Sequence, residues 1–163
     1  MEIHTDVVIA GCGVAGLYSA LKLPADRQIV IITKSDARSS DSFLAQGGIC
    51  VLRDDEDYDS YFEDTLRAGH YENRKESVDI MIRESRSVIG DLVEYGVRFE
   101  QENGEFVYTR EGAHSRPRIL FHEDITGEEI TGSLLKRVRE RPNITLYEYT
   151  TMTDIIEEDG VCR

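Results

Sequence analysis

Three stretches of this chain carry residue types at spacings that could do chemistry. They are Gly11-Cys12-Gly13-Val14-Ala15-Gly16, Asp41-Ser42-Phe43-Leu44-Ala45-Gln46-Gly47-Gly48 and Arg110-Glu111-Gly112-Ala113-His114-Ser115-Arg116-Pro117-Arg118. In the first, Gly-x-Gly-x-x-Gly follows the apolar run Asp6–Ala10 and precedes Leu17, Ala20, Leu21 and Leu23 at helical spacing. The context is strand, turn, helix, which is how a chain holds a dinucleotide pyrophosphate. Gly11 makes the tight turn, Gly13 lets backbone N–H groups approach the phosphates, and Gly16 lets helix and strand pack closely. The helix N-terminus adds the positive end of its dipole. A glycine-rich turn that binds nothing is the alternative, and the flanking elements favour a bound dinucleotide.

An NAD-binding unit would place an acidic residue about 20 positions after the glycines, to hold a ribose. Here the second apolar run, Ile29-Val30-Ile31-Ile32-Thr33, ends in Lys34-Ser35, with Asp36 slightly late. Taken alone, Lys34 suits a 2′-phosphate and therefore NADP, or is a solvated lysine at a strand end. The second stretch has no role in a plain NAD-binding unit. Paired glycines beside a small residue let backbone lie against a flat ligand, and Gln46 can hydrogen-bond it. Such a loop suits an isoalloxazine ring.

These residues resemble the flavoprotein family of succinate dehydrogenase, fumarate reductase and L-aspartate oxidase. The resemblance rests on the glycine turn, on Thr33-Lys34 and on Ser42-x-x-Ala45-Gln46-Gly47-Gly48-Ile49. It implies that Gly11, Cys12, Gly13, Val14, Ala15, Gly16, Lys34 and Asp41, Ser42, Phe43, Leu44, Ala45, Gln46, Gly47 and Gly48 contact FAD rather than NADP. Membrane-bound members link the flavin covalently through a histidine, at the position of Asp41 here. A carboxylate cannot form that link, so non-covalent FAD is expected.

The third stretch, continued by Ile119-Leu120 and by Glu123-Asp124-Ile125-Thr126-Gly127, is similar to the L-aspartate oxidase branch, with Ala113 replacing a glycine. Arg110, His114, Arg116 and Arg118 make it unusually basic for so acidic a chain. A dicarboxylate bearing an ammonium group needs cations for its carboxylates and an anion for its amine. Glu111 is the candidate anion, and His114, Ser115 and Arg118 are candidate substrate ligands; a mixed-charge surface loop is the plainer alternative. The resemblance implies oxidation of L-aspartate to iminoaspartate, with electrons passing to O2 or fumarate. It further implies a place in de novo NAD synthesis, with quinolinate synthase consuming the product. A soluble fumarate reductase and a non-catalytic nucleotide-binding module are the rival readings. The resemblance also puts the acid/base arginine in a capping domain beyond residue 163, so this piece alone is expected to be inactive.

The 163 residues fit one domain. With 19 Lys and Arg against 32 Asp and Glu the formal charge is −13, which argues against general affinity for nucleic acid or an anionic membrane. No apolar run approaches the roughly 18 residues of a membrane span, and no signal peptide is evident, so a cytoplasmic location is expected. Cys12, Cys50 and Cys162 form no C-x-x-C pair and read as reduced small hydrophobes. His4, His70 and His122 have no partners at ligand spacing, and no metal site is expected.

The supporting elements predict an α/β, Rossmann-like FAD-binding domain with a parallel sheet, in which strands 6–10 and 29–33 flank the first helix. Residues 34–47 read as a loop and Asp54–Asp57 as an acidic surface turn. A helix is expected from Tyr58 to near Gly69, and a longer one follows Asn73 as N-cap and stops at Gly96. Val97–Phe99 and Phe106–Tyr108 predict a hairpin across Asn103-Gly104. Residues 110–126 read as irregular, 127–141 as a helix and 144–149 as a third parallel strand. Residues 153–157 suggest a strand with a return arm at 161–163. Residues 1–163 thus read as the N-terminal part of the FAD-binding domain of a longer protein, without its capping domain or second half.

Overall fold

The computed structural model describes residues 2–162. In chain order the elements are β1 (Val7–Ala10), α1 (Val14–Lys22), β2 (Ile29–Ile32), α2 (Asp41–Leu44), β3 (Ile49–Cys50), α3 (Tyr58–Ala68) and α4 (Lys75–Glu94). They continue with β4 (Gln101–Glu102), β5 (Glu105–Phe106), β6 (Ile119–Leu120), α5 (Thr126–Glu140), β7 (Ile144–Tyr147), β8 (Glu157–Glu158) and β9 (Val161–Cys162). The chain divides into two compact units. One comprises the residues up to Leu44 and those from Thr131 onward; the other is Ala45–Ile130.

The first unit is the expected β-α-β arrangement. Its sheet has the order β1-β2-β7, all parallel, with Val7 opposite Ile29 and Ile29 opposite Ile144. The unbroken apolar run of β2 follows from its central place, and Ile29, Val30 and Ile31 are buried. Each fully buried aliphatic side chain contributes about 1.5–3 kcal/mol. Strand β1 lies at a sheet edge and alternates in burial, leaving Val8 exposed. Leu17, Ala20 and Leu21 form the buried face of α1. Gly11 adopts φ +109°, and a Cβ on Gly16 would strike the Gly11 carbonyl oxygen. These two glycines close the turn.

The second unit is built on α3 and α4, where Tyr61, Leu66, Val78 and Ile82 cluster with Leu52. Helix α4 ends as expected, with Gly96 at φ +100° beyond it. Its start differs: Arg74 occupies the cap position without a side-chain cap bond. Asn73 instead turns toward the end of α3, where its Nδ2 donates to the Thr65 carbonyl oxygen (3.5 Å) and the missing Cβ of Gly69 makes room. The expected hairpin forms around Asn103 and Gly104, both at positive φ, but its paired strands are β4 and β5, closer to the turn.

Four other expectations are corrected. Residues 34–47 contain α2 and a single helical turn at Ala37–Ser39, where the Asp36 side chain accepts from Arg38 N–H. The Asp54–Asp57 turn is not wholly superficial, since Asp57 is 1% exposed. Residues 110–126 include β6, which pairs antiparallel with β3. The last hairpin is β8–β9, shifted past the expected strand at 153–157. No helix among the described residues is long and apolar enough to cross a membrane.

Candidate functional site

In the first unit a cavity of about 430 Å³ opens at the glycine turn, lined by Gly11, Cys12, Gly13, Thr33, Lys34 and Asp41 among others. The turn leads directly into the N-terminus of α1, whose cap is Gly13. A Cβ on Gly13 would lie 2.9 Å from Ser42 Oγ, and that oxygen accepts a hydrogen bond from Val14 N–H (3.2 Å). The Cys12 side chain is buried, with Sγ donating to the Ala37 carbonyl oxygen at 3.6 Å, so only its backbone faces outward chemistry. Lys34 and Asp41 are exposed. A positive helix end, a bare backbone and a lysine at the strand end fit the anionic, polyhydroxylated end of a dinucleotide. Phe43 is half-buried and Leu44 exposed in α2.

The second unit brings together Ala45–Gly48 of the second stretch and the whole of the third. Ala45, Gln46, Gly47 and Gly48 are all exposed, and β3 follows at once. A Cβ on Gly48 would strike Ile119 and the Leu120 carbonyl oxygen, so a glycine here lets the loop lie flat on β6. A Cβ on Gly47 would lie 3.8 Å from Glu111 Oε2. The exposed Glu111 carboxylate therefore sits beside the paired glycines, 64 positions away in sequence. Its loop turns at Gly112 (φ +54°), and His114 N–H returns to the Glu111 carbonyl oxygen at 3.2 Å. Ala113 does not take positive φ and is exposed, so the methyl group it carries costs the turn nothing.

Behind this turn lies a buried ionic cluster. Arg118 is fully buried and all five of its N–H donors are engaged. Nε and Nη2 donate to the two oxygens of Asp57 (2.9 and 2.7 Å), and Nη2 also donates to Ser60 Oγ (3.0 Å). Nη1 donates to Asp64 Oδ2 (2.8 Å) and to His114 Nδ1 (3.0 Å). The guanidinium also stacks over the Tyr61 ring. Asp64 Oδ2 accepts from both the backbone N–H (2.6 Å) and the hydroxyl (2.7 Å) of Ser115, and Oδ1 accepts from Arg67 (2.7 Å). With Nδ1 accepting, the neutral His114 ring carries its proton on Nε2, directed at Cys50 Sγ (3.2 Å).

Charge and burial set the protonation states. Burial works to raise the Asp64 pKa, but the Ser115 and Arg118 hydrogen bonds outweigh it and hold the carboxyl at about 2. Asp57 is likewise lowered, because Arg118 and Ser60 overcome its burial. Burial and then the Arg118 charge push His114 down, which keeps it neutral. Burial raises the Cys50 thiol and the Tyr61 phenol. Of the expected substrate ligands, Arg118 has no donor left for a carboxylate, and His114 and Ser115 are already bonded within the protein. Only Glu111 presents its charged end outward. Asp57, Asp64 and Tyr61 escaped the sequence reading as site residues, although their spacing aligns an acid at the start of α3 and a second within it with the buried Tyr61, the one signal that could have revealed them.

The model of the FAD binding domain family matches residues 6–163. The chain belongs to that family. FAD is the cofactor of this domain. The domain is 46% identical over 163 residues to an L-aspartate oxidase of Clostridium acetobutylicum, covering 99% of this chain and 38% of the relative. It is 43% identical over 162 residues to an L-aspartate oxidase of Clostridium perfringens, covering 99% and 37%. Among solved structures it superposes on E. coli quinol fumarate reductase FrdA with TM-score 0.93 and 25% identity, over 100% of this chain and 29% of that one. The FAD-binding domain described here thus spans little more than a third of the length of these curated relatives.

Proposed function

We propose that the protein carrying this domain oxidises L-aspartate to iminoaspartate, with O2 or fumarate as final acceptor. The product would feed quinolinate synthase in NAD biosynthesis. The observation that carries the reading is the Glu111 carboxylate beside Gly47, in a domain 46% identical to a relative named L-aspartate oxidase. When bound, FAD supplies the two-electron acceptor. Gly11 to Gly16 and the α1 N-terminus would hold its pyrophosphate, and the backbone from Ala45 to Gly48 would hold its ring system. Asp41 stands where a linking histidine would be needed, so the flavin is held without a covalent bond. Glu111 accepts hydrogen bonds from the substrate ammonium group and so distinguishes aspartate from dicarboxylates that lack an amine. His114, Ser115 and Arg118 hold the loop rather than the substrate. The acid/base group is not assigned to any residue of this chain.

Reduction of fumarate is the second reading, favoured by the likeness to quinol fumarate reductase. Glu111→Gln in the complete protein separates the two. Charge-assisted hydrogen bonds contribute roughly 1.5–3 kcal/mol, so aspartate kcat/KM is expected to fall about ten- to a hundredfold. Fumarate reduction should change far less. Parallel losses in both assays, with a lowered melting temperature, would make Glu111 a structural residue.

A further inference from the structure

Asp64 is 3% exposed, yet four donors converge on it from three separate places: Ser115 with two, Arg118 and Arg67 with one each. A helix residue normally has no reason to collect the end of a loop 51 positions away. The loop it collects is the one that begins at Glu111. Ser115 is anchored to Asp64 through both backbone and side chain, and Arg118 bridges Asp64 to His114 Nδ1. His114 is then held at its other nitrogen by Cys50 of β3, the strand that follows Gly48, and its N–H closes the turn on Glu111. Both bonds of Ser115 and the bond at His114 Nδ1 therefore lead back to Asp64 or to Arg118, which Asp64 shares with Asp57.

We propose that Asp64 is the positioning residue for Glu111, setting the distance between its carboxylate and the Gly47-Gly48 backbone and hence the preference for a substrate bearing an ammonium group. The proposal rests on the reading of Glu111 given above. Asp64 touches neither substrate nor cofactor; it acts through Ser115, Arg118 and His114. Its low pKa keeps it ionised across the working range, so the anchor is permanent rather than a switch. Asparagine at this position would offer one acceptor oxygen in place of two and turn an NH2 group toward donors. Arg118 would keep its two-bond fork to Asp57, so the cluster is loosened rather than emptied.

The test uses the complete FAD-loaded protein in four forms: native, Asp64→Asn, Glu111→Gln and the double variant. Aspartate oxidation and fumarate reduction are assayed for each, and hydrogen exchange of residues 109–118 is followed in the same four forms without substrate. The expected result is a loss of about tenfold in aspartate kcat/KM for Asp64→Asn, with fumarate reduction changed less than about threefold. In the double variant, Asp64→Asn should add almost nothing to the Glu111→Gln loss, because the residue it positions no longer reads charge. Exchange in 109–118 should rise. Equal loss of both activities, or full additivity, would overturn the proposal and leave Asp64 as fold support. Unchanged exchange in 109–118 would overturn it whatever Glu111 does. If Glu111→Gln shows no amine preference while Asp64→Asn loosens the loop, the functional reading fails and the anchoring of the loop stands. Should Asp64→Asn not fold, Ser115→Ala, which removes one of the two bonds at an exposed residue, must show the same asymmetry at smaller size; its absence overturns the proposal.

Discussion

Two glycines of the same turn should respond in opposite ways to an added side chain. At Gly13 the nearest atom is Ser42 Oγ, at 2.9 Å, the end of a short side chain that can rotate away. Gly13→Val should therefore fold, while its branched side chain stands where the pyrophosphate approaches; near-native circular dichroism with little bound FAD is the expected result. At Gly16 the obstacle is the backbone carbonyl of Gly11, which cannot rotate away. Gly16→Ala should cost about 1–3 kcal/mol, read as a lowered melting temperature. Normal stability there would show that helix and turn are not in close contact. These glycines were legible in the sequence because their spacing has few other uses. Asp64 was not, since an acidic residue on a helix is ordinarily solvated. Its meaning appears only when Arg118, 54 positions later, arrives beside it.

The two loops of the second unit are joined by the shortest possible strands, β3 and β6, each of two residues. Ile49 pairs with Leu120 and Cys50 with Ile119, and Gly48 lets the chain pass flat over both. Gly48→Ala should force the loop from β6, because its Cβ meets a backbone oxygen as well as Ile119. We expect lowered FAD content together with faster hydrogen exchange at Ile119 and Leu120; unchanged values for both would refute this role of the pairing. Strands of two residues carry no periodicity, which is why residues 110–126 read as irregular. The long apolar run of β2, the helical period of α4 and the Asn103-Gly104 turn were legible because each pattern is set locally. The start of α4 was not, because Asn73 bonds to α3 instead of capping its own helix.

For the molecule as a whole, the buried cluster predicts how stability depends on pH. Asp57 and Asp64 have folded pKa values below their ordinary 3.8, so their contribution is complete above about pH 4 and is lost as pH falls toward about 2. For Asp64 this amounts to roughly 2 kcal/mol. His114 is also lowered, from 6.5, so keeping it neutral begins to cost stability as pH drops below about 6.5. Urea midpoints should therefore be flat between about pH 7 and 8, decline below about 6.5 and fall more steeply below about 4. Asp64→Asn should flatten the lower part of that decline, and an unaltered profile would mean that Asp64 is not ionised in the folded state. The central claim concerns what Glu111 reads, and binding tests it most directly. L-Aspartate and succinate share two carboxylates and differ in the amine, so their dissociation constants are compared in native protein and Glu111→Gln, that of aspartate from the concentration dependence of anaerobic flavin reduction and that of succinate by titrating the flavin absorbance. The account predicts that native protein prefers aspartate, and that the substitution weakens aspartate about tenfold or more while leaving succinate unchanged or tighter. Equal weakening of both ligands, or a preference for aspartate that survives the substitution, would contradict it.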